Sequence, residues 1–206
     1  MLLALIAAAV TYLTTPLARW VALRTGAITA VRERDVHAAP IPRMGGVAML
    51  LGMAAALAFA SRMPFLAGEF TTPTPWAILG GAAMVCALGV ADDIWELDWL
   101  TKLTGQVLAV GLMVWLGHVQ LYALPILGQT IPSSLGSLVA TVLTVVVAMN
   151  AVNFVDGLDG LAAGLIAIGG TGFFVYTYLL AADRGAESYA NLASMIVAIL
   201  IGACVG

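Results

Sequence analysis

The chain has 206 residues, of which 62% are hydrophobic and only 9% are charged, and its mean hydropathy is +1.05. This composition points away from a soluble globular domain, which is about half apolar and about a quarter charged, and it excludes intrinsic disorder. A net charge of −3 gives no general affinity for nucleic acid. The two cysteines, Cys86 and Cys204, lie in apolar runs and suggest neither a disulfide framework nor a zinc site. We therefore expect an all-α protein that crosses a membrane several times.

Seven apolar runs follow one another, each close to the length of about 20 residues that a membrane helix needs. The predicted spans are 2–18, 44–61, a third that starts near Trp76 within 70–91, two near 103–118 and 136–154, 160–182, and a seventh from near Ser188 to Gly206. The 53 residues from Leu103 to Val155 contain no acid, lysine or arginine, and prolines and glycines near 125–136 divide them into two spans. No basic segment precedes the first run, so we interpret it as a span and not as a signal peptide. The prediction is one bundle of about seven spans with short connections.

The distribution of basic residues predicts the orientation in the membrane. If the first span runs from outside to inside, the outer segments carry only Arg62 and Arg184. The inner segments then carry the other six basic residues, which are Arg19, Arg24, Arg32, Arg34, Arg43 and Lys102. Two spans lie between the loop at 24–44 and the segment after residue 91, and two more lie between that segment and the segment after residue 155. An even number of crossings returns the chain to the same side of the membrane. All three polar segments are therefore expected on the cytoplasmic side.

The first polar segment combines cationic side chains with a glycine pair. Its cationic or titratable members are Arg32, Arg34, His37 and Arg43, and Gly45-Gly46 closes it. A glycine pair at a helix start leaves backbone N–H groups open to an anion, and arginines beside it suit a phosphorylated ligand. We expect His37 and Arg43 to bind phosphate, whereas a positively charged cytoplasmic loop explains Arg32 and Arg34 equally well.

The second polar segment begins with the adjacent acids Asp92 and Asp93 at the end of an apolar helix. Two neighbouring carboxylates are costly to ionise there without a cation, and Mg²⁺ bound through carboxylates and substrate phosphates would relieve that cost. Lys102 lies near the next helix start and can pair with a phosphate or with an acid. Glu96 and Asp98 are interpreted as solvated loop acids.

The third polar segment repeats amide and carboxylate side chains every three residues. These side chains are Asn150, Asn153, Asp156 and Asp159. Glycines at 157 and 160 are expected to break the helix and to place both acids at a helix junction. Asparagine adds neutral oxygen ligands and N–H donors without adding negative charge. A helix cap would use one such residue, so four in series indicate a binding or catalytic site.

With these segments in place, the chain resembles the polyprenyl-phosphate N-acetylhexosamine-1-phosphate transferases (glycosyltransferase family 4), membrane enzymes that begin lipid-linked cell-envelope glycan synthesis. The matching pattern is His37-x-x-Pro40-x-Pro42-Arg43-x-Gly45-Gly46, then Asp92-Asp93 with Lys102 and Gln106, then Asn150-x-x-Asn153-x-x-Asp156-Gly157-x-Asp159-Gly160-Leu161. The order and approximate spacing fit over essentially the whole chain. The branch that transfers N-acetylglucosamine 1-phosphate is most similar, and the stretch from Arg32 to His37 resembles actinobacterial members.

The resemblance implies transfer of a sugar 1-phosphate from a UDP-sugar to polyprenyl phosphate, with release of UMP and a requirement for Mg²⁺, for which Mn²⁺ is an alternative. The expected catalytic residues are Asp92, Asp93 and Asp156, and the expected metal ligands are Asn153, Asp92 and Asp93. The expected substrate-binding residues are His37, Arg43, Lys102, Asn150 and Asp159. The enzyme would lie in the plasma membrane with its site facing the cytoplasm. Its product would feed lipopolysaccharide, arabinogalactan or teichoic acid synthesis, and a homodimer is compatible with it.

Two alternatives remain open on the sequence alone. A transporter would use intramembrane acids to line a pathway, although transport sites usually lie near the bilayer midplane and not at span ends. Within the family, the alternative substrate is UDP-N-acetylmuramoyl-pentapeptide.

Members of the family have roughly ten or eleven spans and two further cytoplasmic motifs. We therefore expect residues 1–206 to be one C-terminally incomplete membrane domain that is inactive by itself.

Overall fold

The computed structural model describes residues 1–26, 28–29, 41–42, 44–123, 133–156, 160–184 and 189–206. The α-helices are α1 (Leu2–Thr25), α2 (Gly45–Ala60), α3 (Thr74–Trp95), α4 (Trp99–Gly117), α5 (Ser134–Val155), α6 (Leu161–Arg184) and α7 (Tyr189–Val205). A 3-10 helix (Pro64–Phe70) follows α2, and the two-residue strands β1 (Ile28–Thr29) and β2 (Ile41–Pro42) pair antiparallel. The predicted all-α helical bundle is confirmed.

Each of the seven predicted apolar runs forms a helix, but not every helix has the length of a full span. Within the described residues, five helices are long and apolar enough to cross a membrane: α1, α3, α4, α5 and the part Leu161–Ala181 of α6. Helix α2 and the 3-10 helix reach that length together but are bent by 111°. The apolar helix Ala190–Val205 is shorter. By length and composition, the described residues thus provide five or six of the about seven expected spans.

Helix α1 is longer than the apolar run that predicts it. The charged residues after position 18 remain helical up to Thr25, and the Arg24 guanidinium lies 4.7 Å from the centre of the Trp20 ring. A cation in the last turn interacts favourably with the negative end of the helix dipole, so arginine does not end the helix. Gly26 ends it instead: its φ of 75° is left-handed, and its N–H donates to the carbonyl of Ala22.

Helix α1 packs between α2 and α7 through small residues that let the backbones touch. A Cβ added to Gly52 of α2 would lie 2.7 Å from the carbonyl oxygen of Ala7. A Cβ added to Gly202 of α7 would lie 2.7 Å from Cα of Ala4. Glycine at such crossings is typical of membrane helices, which associate mainly through close van der Waals contact.

A second group of helices consists of α3, α4 and α5, with α4 in contact with both others. Gly81 of α3 lies against Met113 of α4, where an added Cβ would come within 2.8 Å of the Met113 Cβ. Val114 of α4 and Val146 of α5 are buried in one apolar cluster. This packing fixes the register of α4 against both neighbours, and α4 supplies two of the polar side chains described below.

The ends of α1, α2 and α3 meet at one end of the bundle. Ala22 in the last turns of α1 and Met44 before α2 are buried together, and Val90 and Ile94 near the end of α3 pack against them. We call this end, where α1 and α3 finish and α2 and α4 begin, the site end. The residues that flank the first two polar segments therefore share one end, as the number of spans predicts.

Candidate active site

An ion pair joins the last turn of α3 to the first turns of α4. Lys102 Nζ lies 2.6 Å from Asp92 Oδ2, and the two side chains are 40% and 20% exposed. An acid was one of the two partners predicted for Lys102, and Asp92 is an acid in contact with it. The pair places a carboxylate and an ammonium group together at the site end, within reach of solvent.

The short connection between α3 and α4 holds this pair in position. Helix α3 ends at Glu96, whose φ of 48° is left-handed and whose N–H donates to the carbonyl of Asp92. Asp98 caps α4, because its carboxylate accepts hydrogen bonds from the N–H groups of Leu100 and Thr101, both at 3.2 Å. The Thr101 hydroxyl, which also donates to this carboxylate, and these N–H groups hold the pKa of Asp98 below its usual range. Asp98 is therefore an exposed helix cap in addition to a loop acid.

A second polar contact joins α4 to α5. Asn150 Nδ2 donates to Gln106 Oε1 at 2.7 Å and to the carbonyl oxygen of Val146 at 2.8 Å. Asn150 was predicted as a substrate contact, whereas Gln106 appeared in the matching pattern with no role assigned. This contact brings α5 to the site end as well.

Helix α4 therefore connects the second and third polar segments through one of its faces. Lys102 and Gln106 are four residues apart, so they lie on the same face of α4, one turn from each other. Lys102 contacts Asp92 on α3, and Gln106 contacts Asn150 on α5. We call these four side chains the polar cluster. It contains one carboxylate, one ammonium group and two amides, a combination suited to a ligand with phosphate oxygens and hydroxyl groups.

The environment of the Asp93 side chain differs from that of its neighbour Asp92. Asp93 lines a cavity of about 460 Å³ between α2, α3, α4 and α5, together with Met44, Val90, Val110 and Met149. Among the described residues that line this cavity, Asp93 is the only charged one. The two adjacent acids thus lie at one helix end, one paired with α4 and the other at a largely apolar cavity.

Asn153 and Asp156 lie at the end of α5, beyond Asn150. Both side chains are exposed, and Asp156 ends the helix with its N–H donating to the carbonyl of Val152 at 3.0 Å. Gly160, with a left-handed φ of 76°, precedes α6. The predicted helix junction is confirmed for Asp156. No three His, Cys, Asp or Glu side chains in the described ranges lie close enough together to hold a metal ion.

Three of the predicted site residues lie outside the described residues: His37, Arg43 and Asp159. The same holds for Arg32 and Arg34. The glycine pair that follows Arg43 is described, and α2 begins at Gly45 as predicted. Among the described residues, no atom lies within 4 Å of a Cβ added to Gly45 or to Gly46.

The pairing of Gln106 with Asn150 is the feature of this site that the sequence did not predict. The sequence shows the four-residue spacing of Lys102 and Gln106, which places both side chains on one face of a helix. The sequence does not contain the register of α4 against α5, which decides whether that face meets Asn150. Local spacing alone was therefore not sufficient.

Comparison with known proteins identifies the family. Residues 75–206 match the model of glycosyl transferase family 4. The whole chain is 40% identical to a decaprenyl-phosphate N-acetylglucosaminephosphotransferase of Mycolicibacterium smegmatis and 38% identical to that of Mycobacterium leprae, and it covers 52% of each. A probable undecaprenyl-phosphate N-acetylglucosaminyl 1-phosphate transferase of Bacillus subtilis is 32% identical over 48% of this chain and 26% of the relative.

The chain spans about half the length of the mycobacterial relatives that it matches. The family model covers the second and third polar segments and the five helices from α3 to α7. The resemblance inferred from three short motifs is thereby confirmed over most of the chain. The chain belongs to glycosyl transferase family 4.

Proposed function

We propose that this protein transfers N-acetylglucosamine 1-phosphate from UDP-N-acetylglucosamine to a polyprenyl phosphate and releases UMP. The names of the relatives support the sugar and the lipid phosphate acceptor, and family membership supports an enzyme over a transporter. The observation that carries the proposal is the polar cluster, which places groups for phosphate chemistry at the ends of apolar helices. A lipid phosphate at headgroup level can reach that position while its chain stays among the helices.

In the proposed reaction an oxygen of the lipid phosphate attacks the β-phosphorus of the nucleotide sugar. The bond from this phosphorus to the bridging oxygen breaks, and UMP leaves with that oxygen. Negative charge accumulates on phosphate oxygens in the transition state, so a fixed cation beside them lowers the barrier. Lys102 would supply such a cation, and Asp92 or Asp93 would accept a proton from the lipid phosphate. Asn150 would contact the nucleotide sugar.

We propose Mg²⁺ as the metal of this site, held by Asp92, Asp93 and Asn153. Carboxylate and amide oxygens are the donors that Mg²⁺ prefers, and it commonly uses one or two carboxylates together with substrate phosphates. The contact of Asp92 with the Lys102 ammonium supports a role for this carboxylate in pairing with a cation. When bound, the ion would supply positive charge at the phosphate oxygens. Asp156, at the end of α5, would act as a further ligand, because the lipid phosphate is the nucleophile of the proposed direct attack.

The proposal is tested with the native protein, purified from the membranes of the cells that produce it. The protein is incubated with decaprenyl phosphate, Mg²⁺ and either radiolabelled UDP-N-acetylglucosamine or UDP-N-acetylmuramoyl-pentapeptide. We expect lipid-linked product and equimolar UMP with the first donor only. Product with the second donor only would assign the other substrate of the family, and no product with either would contradict the proposed activity.

The inactivity of residues 1–206 by themselves stays a prediction. It is supported by the greater length of the mycobacterial relatives, about half of which this chain spans. The purified 206-residue chain should release no measurable UMP under the same conditions. Mg²⁺-dependent release of UMP from that chain would contradict the prediction without affecting the proposed reaction.

A further inference from the structure

The amide of Asn150 is held in one orientation by both of its N–H groups. Its nitrogen donates to Gln106 Oε1 on the neighbouring helix and to the carbonyl of Val146 one turn earlier in α5. An NH₂ group has two hydrogens, so both donors of this amide are used within the protein. The group left for a ligand is the carbonyl oxygen Oδ1.

Only one of these two bonds has a side-chain oxygen as its acceptor. The bond to Val146 lies within α5 and by itself leaves the second N–H group unrestrained, whereas the bond to Gln106 crosses between two helices. Without Gln106 the amide could rotate and present its NH₂ group in place of Oδ1. A hydrogen-bond donor on a ligand would then meet another donor, and the contact would be lost.

We propose that Gln106 is a positioning residue for the transfer reaction: it fixes the Asn150 amide so that Oδ1 accepts a hydrogen bond from a hydroxyl or N–H group of the nucleotide sugar. This inference rests on the proposed function. Gln106 acts through Asn150 and not through a contact of its own with the reacting phosphates. It therefore affects the binding of the nucleotide sugar more than the rate of the chemical step.

A double-mutant cycle on the protein as its cell makes it tests this inference. The variants are Gln106→Met, Asn150→Ala and the double variant, and kcat and KM for UDP-N-acetylglucosamine are measured for each. We expect Gln106→Met to raise KM about three- to tenfold, the range of one net hydrogen bond, with kcat changed less than about twofold. The double variant should have the KM of Asn150→Ala alone, because Gln106 has nothing left to position.

Thr104→Val is the matched control, since it removes a polar group from the same turn of α4 at about 200° from Gln106 around the helix. It should leave both constants unchanged. If Gln106→Met lowers the yield of folded protein, Gln106→Asn, whose side chain is one methylene shorter, replaces it with the same expected KM.

An unchanged KM in the Gln106 variants, or a double variant whose KM increase is the product of the two single increases, would overturn the inference while the proposed function stands. A wild-type protein that transfers no sugar phosphate would overturn the proposed function and this inference with it.

Discussion

Lys102 is the residue at which a structural role and a role in phosphate binding can be separated. Its ion pair with Asp92 is partly exposed on both sides, and such pairs contribute about 1 kcal/mol or less to stability. A cation aimed at the transferred phosphate contributes far more to the rate, about a hundredfold or more. The two roles therefore predict different results from the same substitution.

We expect Lys102→Met to lower kcat for sugar-phosphate transfer by about a hundredfold while the thermal midpoint changes little. Lys102→Arg keeps the charge and serves as the control, with a smaller loss. The measurement is steady-state UMP release beside a thermal unfolding curve for each variant. Wild-type transfer rates in Lys102→Met would restrict this residue to pairing with Asp92.

The lowered pKa of Asp98 predicts that the stability of the folded chain depends on pH. This pKa is lowered in the folded chain, chiefly by the Thr101 hydroxyl, so the ionised carboxylate favours folding. This contribution is fully present above the pKa of the unfolded carboxyl group and is lost as the pH falls through the lower, folded value. We expect Asp98→Ala to lower the thermal midpoint at pH 7 and to differ progressively less from the wild type toward pH 3.

Two variants in the same connection serve as controls for Asp98. Asp98→Asn keeps a capping side chain but does not titrate, so any difference between its midpoint and that of the wild type should become smaller as the pH falls and the wild-type carboxylate is protonated. Glu96→Gln removes an exposed acid that caps no helix start and should leave the midpoint unchanged. A constant difference between Asp98→Ala and the wild type from pH 7 to pH 3 would contradict the assignment.

At the scale of elements, the sequence predicted the helices and missed some of their ends. The apolar runs located all seven α-helices of the described residues, because burial in lipid requires long apolar segments. The end of α1 was wrong by several residues, since arginine ends an apolar run without ending a helix. The 3-10 helix at Pro64–Phe70 was not predicted, because its Leu66 is buried in an apolar cluster with residues of α1, α2 and α7, a tertiary feature that no local period indicates.

The candidate site, like the helices, was predicted only in part. Lys102 and Asn150 were identified from residue type and spacing, whereas their partners follow from helix packing. Met44 adopts a left-handed φ of 100° before α2, a conformation that no propensity indicates for methionine. Its burial against Ala22 is a tertiary contact that holds the start of α2 at the site end.

The crossing of α1 and α2 gives a prediction about stability. A Cβ on Gly52 would collide with the backbone of α1, whereas a Cβ on Gly80 of α3 would meet no atom within 4 Å. We expect Gly52→Ala to lower the thermal midpoint through overpacking that costs about 1–3 kcal/mol. Gly80→Ala should leave the midpoint unchanged or raise it slightly, because alanine has the higher helix propensity. Equal midpoints for the two variants in detergent would contradict the close crossing.

At the scale of the whole molecule, the shared end of the helices predicts a topology. With Cys86 and Cys204 replaced by serine, a cysteine introduced at Glu96 should react with a membrane-impermeant reagent only from the cytoplasmic side. One introduced at Gly68 should react only from outside. The asymmetry of the basic residues and the number of helices between the two positions motivate this result. Labelling of both positions from one side would contradict the proposed arrangement.

Sugar-phosphate transfer at the site end of this bundle is best tested at the two adjacent acids, Asp92 and Asp93. The measurement is the rate of N-acetylglucosamine 1-phosphate transfer to decaprenyl phosphate by Asp92→Asn, Asp93→Asn and the neighbouring control Glu96→Gln, each confirmed to be folded. We expect losses of about a hundredfold or more for the first two variants and a wild-type rate for the control. Near wild-type rates in both Asp92→Asn and Asp93→Asn would contradict transfer at the site end.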